Sequence, residues 1–188
     1  MTDVIVFHHV QGLTDDVRAF ADELRAAGHD VHVPDLLEGQ TFPTIADGIA
    51  NVQQVGFDTI VQRGRAAVEG LPAELVYIGI SLGVIPAQLL AQTRAGARAA
   101  VFLHSSIAPA ELGSPWPTDV PAQIHLGERD PEVLPPNGDL EAAKAFAETE
   151  ERVELFLYPG EAHLFKDYDD ETAALLKERV LSFVANSG

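Results

Sequence analysis

The nine residues Leu75-Val-Tyr-Ile-Gly79-Ile-Ser81-Leu-Gly83 constrain the fold of this chain more than any other stretch. Leu75 to Ile78 is apolar without alternation, the pattern of a parallel strand covered on both faces and so placed inside a sheet. Gly79-Ile-Ser81-Leu-Gly83 fits G-x-S-x-G, in which the serine occupies a sharp strand-to-helix turn and its hydroxyl projects above the sheet. Glycine suits the positions two before and two after the serine, because neighbouring backbone crowds both and a Cβ would clash. The pentapeptide alone also describes an ordinary Gly/Ser turn. The apolar strand before it and the helix-forming run Val84 to Arg94 after it favour a nucleophile turn, with Ser81 carrying the chemistry.

The rest of the sequence alternates the same two patterns. Strand-like runs at Thr2–Phe7, His29–Val33, Arg98–Leu103, Ala122–Leu126 and Arg152–Tyr158 join the central one to make about six strands. Helices are expected from Thr14 to Gly28, over Thr44–Val55, Phe57–Glu69, Val84–Arg94 and Asp139–Glu148, and over Asp170–Asn186 at the end. In the first, Val17, Phe20, Ala21, Leu24 and Ala27 recur at helical spacing, with Thr14 placed to cap it and Gly28 to end it. Leu36–Pro43 reads as loop, as does Ser105–Val120, where Pro109, Pro115 and Pro117 interrupt any regular element. Strands alternating with helices predict an α/β fold, a mostly parallel sheet with helices on both faces. A chain of 188 residues, 46% hydrophobic and without a linker-like tract, is expected to form one domain over residues 1–188.

Composition narrows the function. A formal net charge of −17 argues against nucleic acid or an anionic membrane as partner, since both need clustered Lys and Arg. The Val4–Phe7 run is too short for a signal-peptide core and no apolar run reaches about 20 residues, so a cytoplasmic location is expected. With no cysteine there is no thiolate metal site and no cysteine nucleophile. Neither G-x-G-x-x-G nor G-K-[ST] occurs, which disfavours a nucleotide-binding protein, and no metal or cofactor is expected. Oligomeric state leaves no mark in the sequence.

A serine hydroxyl needs a histidine base, and the histidine needs a carboxylate that holds its tautomer. In open α/β sheets such groups collect at the carboxyl ends of strands, and in α/β-hydrolases they follow the order Ser, Asp or Glu, His. Asp130 follows a strand after Ser81, and His163 follows the last strand. His29, His32 and His125 fall at or inside strands, where a structural role is the better reading, while His104 ends a strand and is placed to line the pocket. Glu128 and Asp119 are the rivals to Asp130, which the following Pro131 restricts to extended backbone. For the oxyanion, Leu82 N–H at the start of a helix is one expected donor and Val10 N–H in the loop after the first strand the other.

On these residues the chain resembles the dienelactone hydrolase family of the α/β-hydrolase fold over nearly its whole length. The likeness rests on the opening Val-Ile-Val-Phe-His-His-Val-Gln-Gly12-Leu, the Ser81 turn, Leu-Gly-Glu-Arg-Asp130-Pro and Tyr158-Pro-Gly-Glu-Ala-His163-Leu-Phe. It implies a Ser81, Asp130 and His163 triad, Val10 and Leu82 as oxyanion donors, and no large cap domain. The family's namesakes carry cysteine where Ser81 stands, a first-loop glutamate where His9 stands, and substrate-binding arginines where only Lys166 follows the histidine. These departures point to a broader esterase acting on a small-molecule ester or lactone. His9 and Trp116 are the expected substrate-binding residues, with Phe42 a further candidate for an apolar acyl pocket. Acyl transfer or thioester cleavage by the same triad, and a non-catalytic binding protein of this fold, remain open alternatives.

Overall fold

A computed structural model describes all of residues 1–188. Six strands, β1 (Asp3–Phe7), β2 (Asp30–His32), β3 (Leu75–Ile80), β4 (Ala99–Leu103), β5 (Ala122–Gly127) and β6 (Val153–Tyr158), form one sheet in the order β2-β1-β3-β4-β5-β6. Every neighbouring pair is parallel. Residues of β3 are buried on both faces, as the unalternating run requires, and β3 lies between β1 and β4.

Successive side chains of each strand leave on opposite faces and build two cores. Ile5 and Phe7 of β1, Leu75 and Tyr77 of β3, and Ala100 and Phe102 of β4 pack with α2 (Ile45–Val55), α3 (Phe57–Ala67), α4 (Val84–Thr93) and α5 (Asp139–Thr149). Val4 and Val6, then Val76, Ile78 and Ile80, then Ala99, Val101 and Leu103 pack on the other face. There they meet Val17, Phe20 and Leu24 of α1 (Asp15–Ala26) and Leu176, Val180 and Val184 of α6 (Asp170–Ala185). Each fully buried Val, Ile, Leu or Phe contributes roughly 1.5–3 kcal/mol, so the paired cores, more than helix propensity, hold the layers.

Element boundaries follow the sequence reading to within a residue or two. One local expectation differs. Thr14 occupies the N-cap position of α1 but its side chain does not cap, because the hydroxyl lies against His9 Nε2 at 3.3 Å. Thr44 does cap α2, accepting from Asp47 N–H at 3.1 Å. No helix is long and apolar enough to cross a membrane.

Candidate active site

Ser81 begins the turn between β3 and α4 with φ of 50°, in the left-handed region that an L-residue adopts only under constraint. The constraint is the close approach of backbone on both sides. A Cβ on Gly79 would lie 2.5 Å from Val84 Cα, and one on Gly83 would lie 2.1 Å from the Phe7 carbonyl oxygen of β1. The two glycines thus let β1, β3 and α4 converge under the serine.

Asp130 and His163 arrive from the carboxyl ends of β5 and β6. Ser81 Oγ lies 2.9 Å from His163 Nε2, and His163 Nδ1 lies 2.7 Å from Asp130 Oδ2. Asp130 is fully buried, and its other oxygen, Oδ1, accepts the Glu132 N–H at 2.9 Å. An ionised carboxylate only accepts, so Nδ1 of His163 must carry the proton; the Nε2 lone pair is then free to accept from the serine hydroxyl. Glu128 is exposed at the strand end, and Asp119 lies beside Arg152, whose guanidinium donates to its carbonyl oxygen at 3.4 Å. Neither carboxylate bonds His163.

The loop after β1 is clamped in place. Gln11 donates to the Phe42 and Pro43 carbonyl oxygens at 3.2 and 2.9 Å, and Lys166 donates to Gln11 Oε1 at 2.8 Å. Val10, carried on that loop, has a backbone N–H that donates to no protein acceptor. Leu82 N–H belongs to the first turn after the serine, where helical amides have no carbonyl partner. Val10, Leu82, Ser81 and His163 all line one cavity of about 280 Å³.

Two expected substrate-binding residues lie elsewhere. Trp116 is 3% exposed and packs edge-on against Phe102 and Phe146, with Nε1 donating to the Val120 carbonyl oxygen at 2.9 Å; it belongs to the core because the indole N–H finds its acceptor there. His9 is fully buried and turned away from the cavity, its Nε2 donating to Asp16 Oδ2 at 3.1 Å. Burial raises the Asp16 carboxyl, but the hydrogen bonds from His9 and Thr14 outweigh it and hold the group at about 2. Phe42 packs at the margin of the core rather than in the cavity. Lys166, engaged with Gln11, supplies no cation to it.

The cavity wall comes instead from Ile45, Ile49 and Val52 of α2, Phe57 of α3, Ile85 of α4 and Ile107. His104 also lines it, as its strand-end position suggested. His104 Nε2 accepts the Phe165 N–H at 3.1 Å, two residues beyond His163. Burial, then the neighbouring His163, His125 and His9, keep His104 well below the ordinary histidine range and hence neutral. Three polar lining residues escaped the sequence reading: Ser105, Glu132 and Asp139. Ser105 Oγ donates to Asp139 Oδ2 at 2.6 Å, across 34 residues of sequence, and no local signal marks that meeting. Burial raises the Asp139 carboxyl, against the pull of the Ser105 hydroxyl and Ser106 N–H. At the opposite end of the sheet the side chains of Asp3, Asp30 and His32 gather with donor atoms within 4.8 Å of one another.

The family model described as the dienelactone hydrolase family matches residues 1–187. No curated protein sequence matches the chain. Among solved structures, a dienelactone hydrolase-like promiscuous phosphotriesterase from metagenomic libraries is similar at 18% identity and a TM-score of 0.74, covering 99% of this chain and 86% of that one. A dienelactone hydrolase from Anabaena variabilis is similar at 16% identity and 0.66, over 98% and 86%. A Paleococcus ferrophilus monoacylglycerol lipase is similar at 11% and 0.69, over 99% and 95%. At these identities the structures speak for the shared α/β-hydrolase fold.

Proposed function

This chain belongs to the dienelactone hydrolase family, and from that premise we propose that it is a serine hydrolase cleaving a small carboxylic ester or lactone through an acyl-enzyme. The observation that carries the reading is the unbroken chain from Ser81 Oγ to His163 Nε2 at 2.9 Å and from His163 Nδ1 to Asp130 Oδ2 at 2.7 Å.

In this reading His163 takes the serine proton as Oγ attacks the carbonyl carbon, and the Asp130 carboxylate stabilises the imidazolium that forms. The carbonyl oxygen becomes an oxyanion, and the Val10 and Leu82 N–H groups are the donors for it. His163 returns the proton to the leaving alkoxide, leaving the acyl group on Ser81. A water, deprotonated by His163, then attacks the acyl carbon; collapse of the second tetrahedral intermediate releases the acid and restores the serine. The strained turn places Ser81 at the cavity, and the contact with His163 Nε2 at 2.9 Å orients its Oγ there.

Labelling with a fluorophosphonate probe tests this reading. One adduct on the intact protein, absent from Ser81→Ala and slowed in His163→Gln, is the expected result. An adduct that persists in folded Ser81→Ala places the nucleophile elsewhere, and no adduct on the native chain removes the proposal.

A further inference from the structure

Within the proposed hydrolase reading, on which this inference rests, we propose that Asp139 and Glu132 make the cavity selective for esters with a positively charged substituent, and exclude those carrying a carboxylate.

The cavity is two unlike halves. One is aliphatic and aromatic, built by Ile45, Ile49, Phe57 and Ile107, and it opens outward where Ile49 is 38% and Phe57 52% exposed. The other holds Ser105, Glu132 and Asp139 beside Ser81 and His163. No lysine or arginine lines either half, and none lies within salt-bridge distance of Asp139 or Glu132. Lys166, which follows the histidine, is directed to Gln11.

Asp139 is partly buried and one-sided in its bonding. Oδ2 accepts from the Ser105 hydroxyl at 2.6 Å and from Ser106 N–H at 3.4 Å, whereas no protein group donates to Oδ1. The Glu132 carboxylate accepts nothing from the protein, its own backbone N–H being given to Asp130. A substrate therefore meets two partly buried carboxylates with acceptor capacity to spare and no compensating cation. A positive group there gains attraction to both, and a negative group is repelled by both in a setting where water screens less than at an open surface. The buried Asp130 carboxylate works in the same direction, since the neutral His163 that donates to it cancels none of its charge.

Volume sets the size. A cavity of about 280 Å³ that opens to solvent at Ile49 and Phe57 suits a small ester with a short acyl chain. Matched probes of that size are methyl 6-aminohexanoate, methyl heptanoate and monomethyl adipate, which present an ammonium, a methyl and a carboxylate at the chain end. Hydrolysis is followed by acid release, and binding of hexylammonium, hexanol and hexanoate to Ser81→Ala is followed by NMR titration, independent of turnover.

The expected order in both measurements is ammonium, then neutral, then carboxylate, with roughly 10- to 100-fold between the ends of the kcat/KM series, attenuated by added salt. In the folded double variant Asp139→Asn, Glu132→Gln the span collapses to a few-fold. A carboxylate probe that is turned over or bound as well as the ammonium one overturns the proposal, and so does an order that survives in the double variant. If the charge order is absent while turnover still depends on Ser81, only the charge selectivity falls. If no probe is turned over and Ser81 resists fluorophosphonate, the hydrolase reading falls, and the binding series still decides the charge selectivity.

Discussion

Asparagine at position 130 removes one charge and almost no volume, and the hydrogen bonds around Asp130 set the consequence. Oδ1 accepts from Glu132 N–H at 2.9 Å and Oδ2 from His163 Nδ1 at 2.7 Å, in a fully buried site. An asparagine has one acceptor. If its oxygen keeps the Glu132 N–H, its NH₂ faces His163 and drives the imidazole to the tautomer whose Nε2–H points at Ser81, where it cannot accept the serine proton. If the amide flips, NH₂ opposes a backbone N–H, which leaves two buried donors face to face. The lost attraction between carboxylate and imidazolium, with charges about 4 Å apart at an effective dielectric of about 20, is about 4 kcal/mol. At 1.36 kcal/mol per decade that is about 10³ in rate, and the misplaced proton carries the expected loss in kcat to between about 10³ and 10⁴. Steady-state ester hydrolysis on purified Asp130→Asn, with circular dichroism confirming the fold, measures it. Glu128→Gln is the control and loses little. Because residues that act as a unit are non-additive, Ser81→Ala with Asp130→Asn is expected to be little worse than Ser81→Ala alone. A folded Asp130→Asn within tenfold of the native kcat, or a Glu128→Gln that is the more damaged, refutes the assignment of the acid.

Gly83→Ala drives a Cβ to 2.1 Å from the Phe7 carbonyl oxygen and is expected to destabilise the chain by at least about 3 kcal/mol, a fall in Tm of roughly 6–12 °C; an unchanged thermal melt contradicts the close approach. Trp116→Ala should remove about 3–5 kcal/mol of stability while leaving KM for a small ester within about twofold in folded protein, because the ring fills core and not cavity; a large rise in KM would return Trp116 to the site. Acid should unfold the chain through its buried histidines: burial lowers His104 well below the usual range and, with Arg179 opposing charge, His125 to about 3, so the unfolded chain binds more protons once the pH drops under about 6.5. Their contribution is complete above that value and lost as pH falls through the range below it, about 2 kcal/mol from His125 by about pH 5, with a loss of the same sign from His104. Urea midpoints across that range measure the loss, and a flat profile contradicts it.

Much of this molecule is legible in the sequence because the signals are local. An apolar run without alternation identifies β3 as an interior strand, and G-x-S-x-G reports steric crowding within five residues. Parallel strands bring their carboxyl ends to one edge of the sheet, so ordering Ser81, Asp130 and His163 along the chain sufficed to bring them into one chain of hydrogen bonds. The strand order β2-β1-β3-β4-β5-β6 was not readable, since parallel runs of similar composition do not encode which neighbour each will pair with.

Burial decided the residues that the sequence placed wrongly. Trp116 stands in a proline-rich loop, as a pocket aromatic would, but its apolar area and its single N–H are both satisfied against Phe102, Phe146 and Val120. His9 and Thr14 bond one another and His9 bonds Asp16, which takes the histidine out of the cavity and the threonine off its helix cap. The polar half of the cavity needed the tertiary fold most. Ser105, Glu132 and Asp139 come from loop and helix-start positions that look like solvated surface, and they meet at one cavity with Ser81 because the segments after β4 and β5 and the start of α5 converge there. A side chain's period along an element predicts which face it takes, but which cavity that face encloses depends on the shapes of all the elements packed around it.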